Sequence, residues 1–153
     1  MNEFLRHAVA TIAYRGGKVV RDAPSGFADF CVGGKTRTPL QILAHIGDLL
    51  DWTCVLARGE KTWNDAKPQS WDREVERYFD GLQRVDQQLQ QPLQCEPERL
   101  FQGPIADTLT HVGQLAMLRR IANAPVRAEN YFRADIAAGR VGAEQTAPKR
   151  EFD

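Results

Sequence analysis

Cysteine, net charge and long apolar runs are all in short supply in this chain. Its three cysteines, Cys31, Cys54 and Cys95, are an odd number at wide spacing with no CxxC pair. A disulfide framework and a zinc-finger reading both fail on that count, and reduced thiols in a cytosolic protein are expected. Lys plus Arg and Asp plus Glu are equal at 20 each, for a formal charge of zero. No basic stripe stands out from that balance, so no nucleic-acid groove is indicated and the expected partner is a small molecule or a protein. The opening MNEFLRHAVATIAYRGG lacks the apolar core of a signal peptide, and no uninterrupted apolar run suits a bilayer span. The expected location is the cytoplasm, with no membrane partner.

What the chain does have is helical periodicity. At 153 residues it fits one domain that can bury a core without disulfides or a structural metal, so a metal held here would be functional. Phe4, Leu5, Ala8, Ile12 and Ala13 mark the apolar face of a first helix, which Gly16 and Gly17 are expected to end. Residues 18–37 carry short runs divided by Ala23-Pro24-Ser25-Gly26 and closed by Gly33-Gly34, which predicts a long crossover with a small hairpin. A connection of that length frees the second helix from lying beside the first.

Thr38-Pro39-Leu40-Gln41 predicts a helix start, with threonine as N-cap, proline at the first helical position and glutamine three residues after the cap. This second helix runs to about Arg58, with Gly59 ending it and a loop following. Ser70 caps a third, whose Trp71, Val75, Tyr78, Phe79, Leu82, Val85 and Leu89 repeat at three and four residues. Pro92 stops it, and Asp86, Gln87, Gln88, Gln90 and Gln91 read as its solvated face. Gly103-Pro104 opens a fourth helix that ends near Asn123, apolar on more than one side, as burial against both the bundle and a second subunit would require. Glu129 to Ala138 reads as a short fifth helix, and residues from Gly139 as a poorly ordered or surface-draped tail. The expected fold is all-α: a four-helix bundle over 1–138, with a long crossover between helices 1 and 2 and a short C-terminal helix, then a tail over 139–153.

Chemistry concentrates in PIADTLTHVGQLAMLRR, residues 104–120. Ile105, Leu109, Val112 and Ala116 recur as an apolar stripe, while Asp107, His111, Gln114 and Leu118 recur on another side. Asp107 and His111 are an i, i+4 pair, roughly 40° apart around the axis and about 6 Å along it, so both side chains can reach one point. His45, on the edge of the second helix's stripe of Ile42, Ile46, Leu49 and Thr53, is the best third ligand. Two histidines and a carboxylate with open positions are a catalytic set for zinc and also the ligand set of non-haem iron.

Each residue also has an ordinary explanation. A carboxylate at Asp107 favours the first turn of a helix with or without a metal, and either histidine can hydrogen-bond inside the bundle. Were Asp107 buried between two imidazoles, it would need a protonated histidine or a cation. Gln114, one turn beyond His111, can orient a ligand or bond across the bundle, and Asp48 can bond the His45 imidazole or face solvent. His7 is given no ligand role, and no residue stands out as a general base. A ferritin-like di-iron bundle is excluded because its ExxH motifs are missing.

The order of elements, the LAHIGDLLDW helix with its single histidine and above all the DTLTHVGQLAMLRR segment resemble the DinB-like (YfiT-like) superfamily of small metal-binding helical bundles. The likeness runs from the first helix to Ala138, and the H…(D/E/H)xxxH(x)xGQ arrangement is its most specific part. Family members commonly use one histidine on the second helix and an HxxxH pair on the fourth. This chain matches at His45 and His111, and carries Asp107 where many relatives have the first histidine of the pair. Relatives with glutamate there resemble thiol-dependent isomerases.

The resemblance implies that His45, Asp107 and His111 hold a divalent metal, zinc or nickel before iron. It also implies a metal-dependent hydrolase or a thiol-dependent transferase or isomerase, with a low-molecular-weight thiol as cofactor in the latter case. A small-molecule substrate and a homodimer belong to the same expectation. The competing expectation is a non-catalytic dimeric bundle, binding or stress-related, in which the polar cluster is vestigial.

Overall fold

The computed structural model describes residues 2–152. They are mostly helical: α1 (Glu3–Val20), α2 (Pro39–Ala57), α3 (Trp71–Leu89), the single turn α4 (Pro97–Leu100) and α5 (Ala106–Ile121). Among the described residues the only sheet is a two-residue antiparallel ladder, with β1 (Ala128–Glu129) against β2 (Glu151–Phe152) and Ala128 opposite Phe152. Each long helix packs on two others, α1 on α3 and α5, and α2 on α3 and α5. Ile12, Leu43, Ile46, Tyr78, Leu82, Leu89 and Leu115 meet in the fully buried core between them.

Local chemistry explains most of the boundaries. Gln41 N–H donates to Thr38 Oγ1 at 3.3 Å and Thr38 N–H to Gln41 Oε1 at 2.9 Å, a complete capping box that starts α2 at Pro39. Ser70 Oγ accepts from Arg73 N–H at 3.3 Å and starts α3 in the same way. Gly59, at φ +80°, follows the end of α2.

Other elements depart from the expectations. The first helix does not stop at Gly16 and Gly17 but continues to Val20, with both glycines buried inside it. Gly16 serves packing instead of capping: a Cβ there would collide with the ring and hydroxyl of Tyr78 on α3. Tyr78 uses that gap to donate from Oη to Ile12 O at 2.6 Å. In the connection from α1 to α2 there is no hairpin among the described residues; a 3-10 turn at Phe27–Asp29 takes its place, pinned where the buried Phe27 ring meets Trp71 edge-on at 5.5 Å. The expected short C-terminal helix over Glu129 to Ala138 is not formed either. Glu129 belongs to β1 and Tyr131–Arg133 is a 3-10 turn.

The segment after Gly139 is tied down. Val141 joins the core cluster, and Lys18 on α1 bonds Glu129 at 3.0 Å and Glu151 at 2.9 Å. Asp86 is buried, not solvated, because Arg6 on α1 grips it through both carboxylate oxygens at 2.9 and 3.1 Å. One further qualification concerns α2, which by length and composition is apolar enough to cross a membrane, with mean hydropathy 1.3 over an 18-residue stretch within Pro39–Ala57. In the fold 61% of that stretch is buried inside the protein, including the polar Asp48 and Thr53.

Candidate metal centre

The entry to α5 is not a simple proline start. Residues Phe101–Ile105 form a kinked junction, with non-helical backbone at Gly103 (φ −90°, ψ −107°), and α5 begins at Ala106. Here Asp107 falls in the first turn of the new helix, where the helix dipole favours its charge. The deepest line of α5 runs through Thr108 and Leu115, both fully buried, with His111 and Val112 beside it. The two stripes read from the sequence are therefore the two shoulders of one buried face. His111 lies on the shoulder towards α2, against which α5 packs.

That packing brings the three named side chains together. His111 Nε2 stands 3.5 Å from Asp107 Oδ1, and His45 Nε2 stands 4.0 Å from Asp107 Oδ2. The two imidazoles meet edge to face, with ring centres 4.8 Å apart. One donor atom from each residue lies within 4.8 Å of the other two. A tetrahedral ion bonded at about 2.0–2.1 Å sets its donors roughly 3.4 Å apart, so a side-chain adjustment of about an ångström or less closes the set. Two imidazole nitrogens and a carboxylate oxygen fit zinc in kind, and in spacing once that adjustment is made. His7, given no role from the sequence, is exposed on α1.

Neighbours hold the imidazoles in place. His111 Nδ1 is 2.8 Å from Gln114 Oε1. An amide oxygen only accepts, so Nδ1 carries the proton and Nε2 turns its lone pair towards Asp107 and His45. Gln114 thus bonds along its own helix and fixes the tautomer of a candidate ligand, rather than bridging the helices. Trp63, from the loop after α2, covers the His45 ring at 5.8 Å, and is itself held by Trp52 at 5.5 Å and by a hydrogen bond from Nε1 to Asp65 at 3.1 Å.

Burial first, then the neighbouring His111 ring and the Arg37 charge, hold the His45 pKa below the ordinary imidazole value. Asp107 and Asp48 pull the other way without winning. Asp107 itself keeps 48% of its side chain exposed. The desolvation argument for a cation therefore does not apply to it, and water has access to the cluster from that side.

Asp48 is not a partner of the His45 imidazole among the described residues. Its Oδ1 accepts from Arg77 Nη2 and from Ala66 N–H at 3.3 Å, and the Arg77 bond is the shorter at 2.6 Å. Arg77, on α3, also donates to Asp51 at 2.7 Å, to Ala44 O at 3.1 Å and lies 3.5 Å from the buried Glu74 carboxylate. This knot grips α2 on both sides of His45. It exists because Gly47 has no side chain: a Cβ there would sit 2.7 Å from Arg77 Nη1. Sequence reasoning missed it, although a glycine in the middle of an apolar helix signals a close approach.

No protein-family model, no curated protein and no solved structure matches the chain.

Proposed function

We propose that this chain is a DinB-like four-helix bundle, with a long crossover between α1 and α2, which binds one divalent ion through His45, Asp107 and His111. On this reading it is a metal-dependent hydrolase or a thiol-dependent transferase or isomerase acting on a small molecule. Zinc or nickel is the preferred ion and iron the alternative. The observation that carries the reading is the approach of three donor atoms from α2 and α5 to within 4.8 Å of one another. Support for the bundle comes from the ring of contacts in which α1 and α2 each pack on α3 and α5.

The protein's own groups have separable tasks. His45 and His111 present nitrogens, and Gln114 keeps the proton of His111 on the far side of the ring. Asp107 supplies the negative charge and leaves a solvent-facing side for substrate, water or a low-molecular-weight thiol. When bound, a divalent ion supplies Lewis-acid chemistry, lowering the pKa of a water or thiol ligand towards neutrality. A cytoplasmic homodimer with neither a nucleic-acid nor a membrane partner completes the proposal.

A second reading, a non-catalytic dimeric bundle with a vestigial polar site, is favoured by the exposure of Asp107, whose charge water can solvate with no cation present. Elemental analysis of protein purified without a chelator or a histidine tag separates the two. Close to one divalent ion per chain is expected, and loss of that ion in His45→Ala with unchanged helical circular dichroism. Wild-type protein that retains no ion after zinc loading and desalting sinks the metal reading.

A further inference from the structure

His45 and His111 each line one of two clefts of similar size, and the two clefts share one charged residue. On the His45 side a cleft of about 340 Å³ is bordered by Lys35, Arg37, Asp48 and Asp65. On the His111 side a second, also about 340 Å³, is bordered by Ile42, Met117 and Leu118, and again by Arg37. Arg37 has no ion-pair or hydrogen-bond partner among the described residues. The two carboxylates of the first cleft do not neutralise it by contact, since Asp48 is held by Arg77 and Asp65 by the Trp63 indole. Its charge is nonetheless felt at His45.

Beyond Arg37, the second cleft offers a polar ligand little more than the amide N–H groups of Gln114. Thr36 donates its hydroxyl to Gly33 O at 2.7 Å, and the Gln114 amide oxygen is engaged by His111 at 2.8 Å. The remaining walls, Ile42, Met117 and Leu118, are apolar, with Met117 56% exposed. An apolar wall next to an unpaired guanidinium favours a ligand with one charged end and one apolar end. The planar fork of arginine matches the oxygens of a carboxylate or phosphate, and an apolar body gains by leaving water.

We propose that the ligand of this centre is an amphiphilic anion, its carboxylate or phosphate group held by Arg37 and its apolar body lying along Ile42, Met117 and Leu118. The atoms next to the charged group are thereby brought beside His45 and His111, which line the two clefts. The assignment of this ligand as substrate rests on the metal-centre reading; its binding does not.

The test is calorimetric titration of zinc-treated protein with octanoate, octyl phosphate, octanol and acetate. Octanoate or octyl phosphate is expected to bind about ten-fold or more tighter than octanol and acetate, and whichever of the two binds tighter identifies the charged group. Arg37→Gln is expected to bring the anion down to the octanol level, again about ten-fold, with zinc content unchanged at a pH above the imidazole range. Met117→Gln is expected to weaken the long-chain anion and octanol alike while leaving acetate unaffected. An anion affinity that survives Arg37→Gln overturns the proposal, as does octanoate and octyl phosphate binding no tighter than acetate. The expected pattern in protein that takes up no zinc supports the cleft and overturns the metal centre. Zinc uptake without the pattern does the reverse.

Discussion

In the proposed metal centre Gln114 acts through His111, and that dependence can be measured. Gln114 is exposed and its amide bonds one imidazole, so Gln114→Leu removes the tautomer lock with little consequence for folding. Loss of such a partner to a ligating histidine typically costs about 10–100-fold in metal affinity. Zinc competition with a chromophoric chelator is expected to show a weakening in that range, and an unchanged affinity would mean that the ring is oriented by packing alone. If zinc is held as proposed, protons compete with it at the same nitrogens. Because burial, the neighbouring His111 ring and the Arg37 charge depress the His45 pKa, the proton leaves that ring at lower pH than an ordinary imidazole requires. The His45 contribution to zinc uptake is therefore expected to persist below the ordinary imidazole range, and Arg37→Gln to move it upwards. A zinc uptake profile against pH, compared between the two proteins, reads that shift directly.

At the scale of elements, two glycines decide how the helices meet. Gly16 admits Tyr78 from α3 to the backbone of α1, and Gly47 admits Arg77 from α3 across α2. Overpacking a tight contact costs about 1–3 kcal/mol, so Gly16→Ala is expected to lower the denaturant midpoint by a corresponding amount. Removing Arg77 is a different kind of loss. The Asp48 and Glu74 carboxylates are buried, and Arg77→Ala would strand them, which costs about 3–5 kcal/mol in comparable buried clusters. A stability within about 1 kcal/mol of wild type would show that water reaches those groups.

Such contacts also mark the limit of reading elements from sequence. The Thr38–Gln41 box and the Ser70 cap involve residues three positions apart, and the structure shows both as expected. Gly16 and Gly17 looked like a helix end because a glycine pair usually is one, and only the partner helix reveals their use. Asp86 looked solvated for the same reason: its arginine lies on α1, 80 positions away.

For the molecule as a whole, the C-terminal segment closes over α1 through a small polar cluster. Tyr14 Oη donates to Glu129 Oε2 at 2.7 Å, while Lys18 bonds both Glu129 and Glu151. The hydrogen bond from Lys18, then the charges of Lys18 and Arg127, hold the Glu151 carboxyl below its ordinary pKa. A depressed carboxyl contributes stability above its unfolded pKa and loses that contribution as pH falls through the folded value. The β1–β2 ladder is therefore expected to loosen in acid, below the ordinary carboxylate range, before the helices melt. Hydrogen exchange is expected to show residues 128–129 and 151–152 losing protection while helical circular dichroism holds, and Lys18→Met to produce the same loosening at neutral pH. Ladder protection that stays constant down to the loss of the helices would remove the cluster from that role.

The sequence by itself determined the helical class, the starts of α2 and α3, and the placing of Asp107 and His111 on one side of one helix. Those features follow from interactions within a few residues, where periodicity and capping act. Only the tertiary structure decided that His45 arrives beside that pair, that Asp48 turns to Arg77, that Asp107 stays half in water and that Arg37 stands between two clefts. Each of these depends on how α2 seats against α3 and α5 and on the path of the loops around it, and packing between distant segments leaves no periodic trace along the chain.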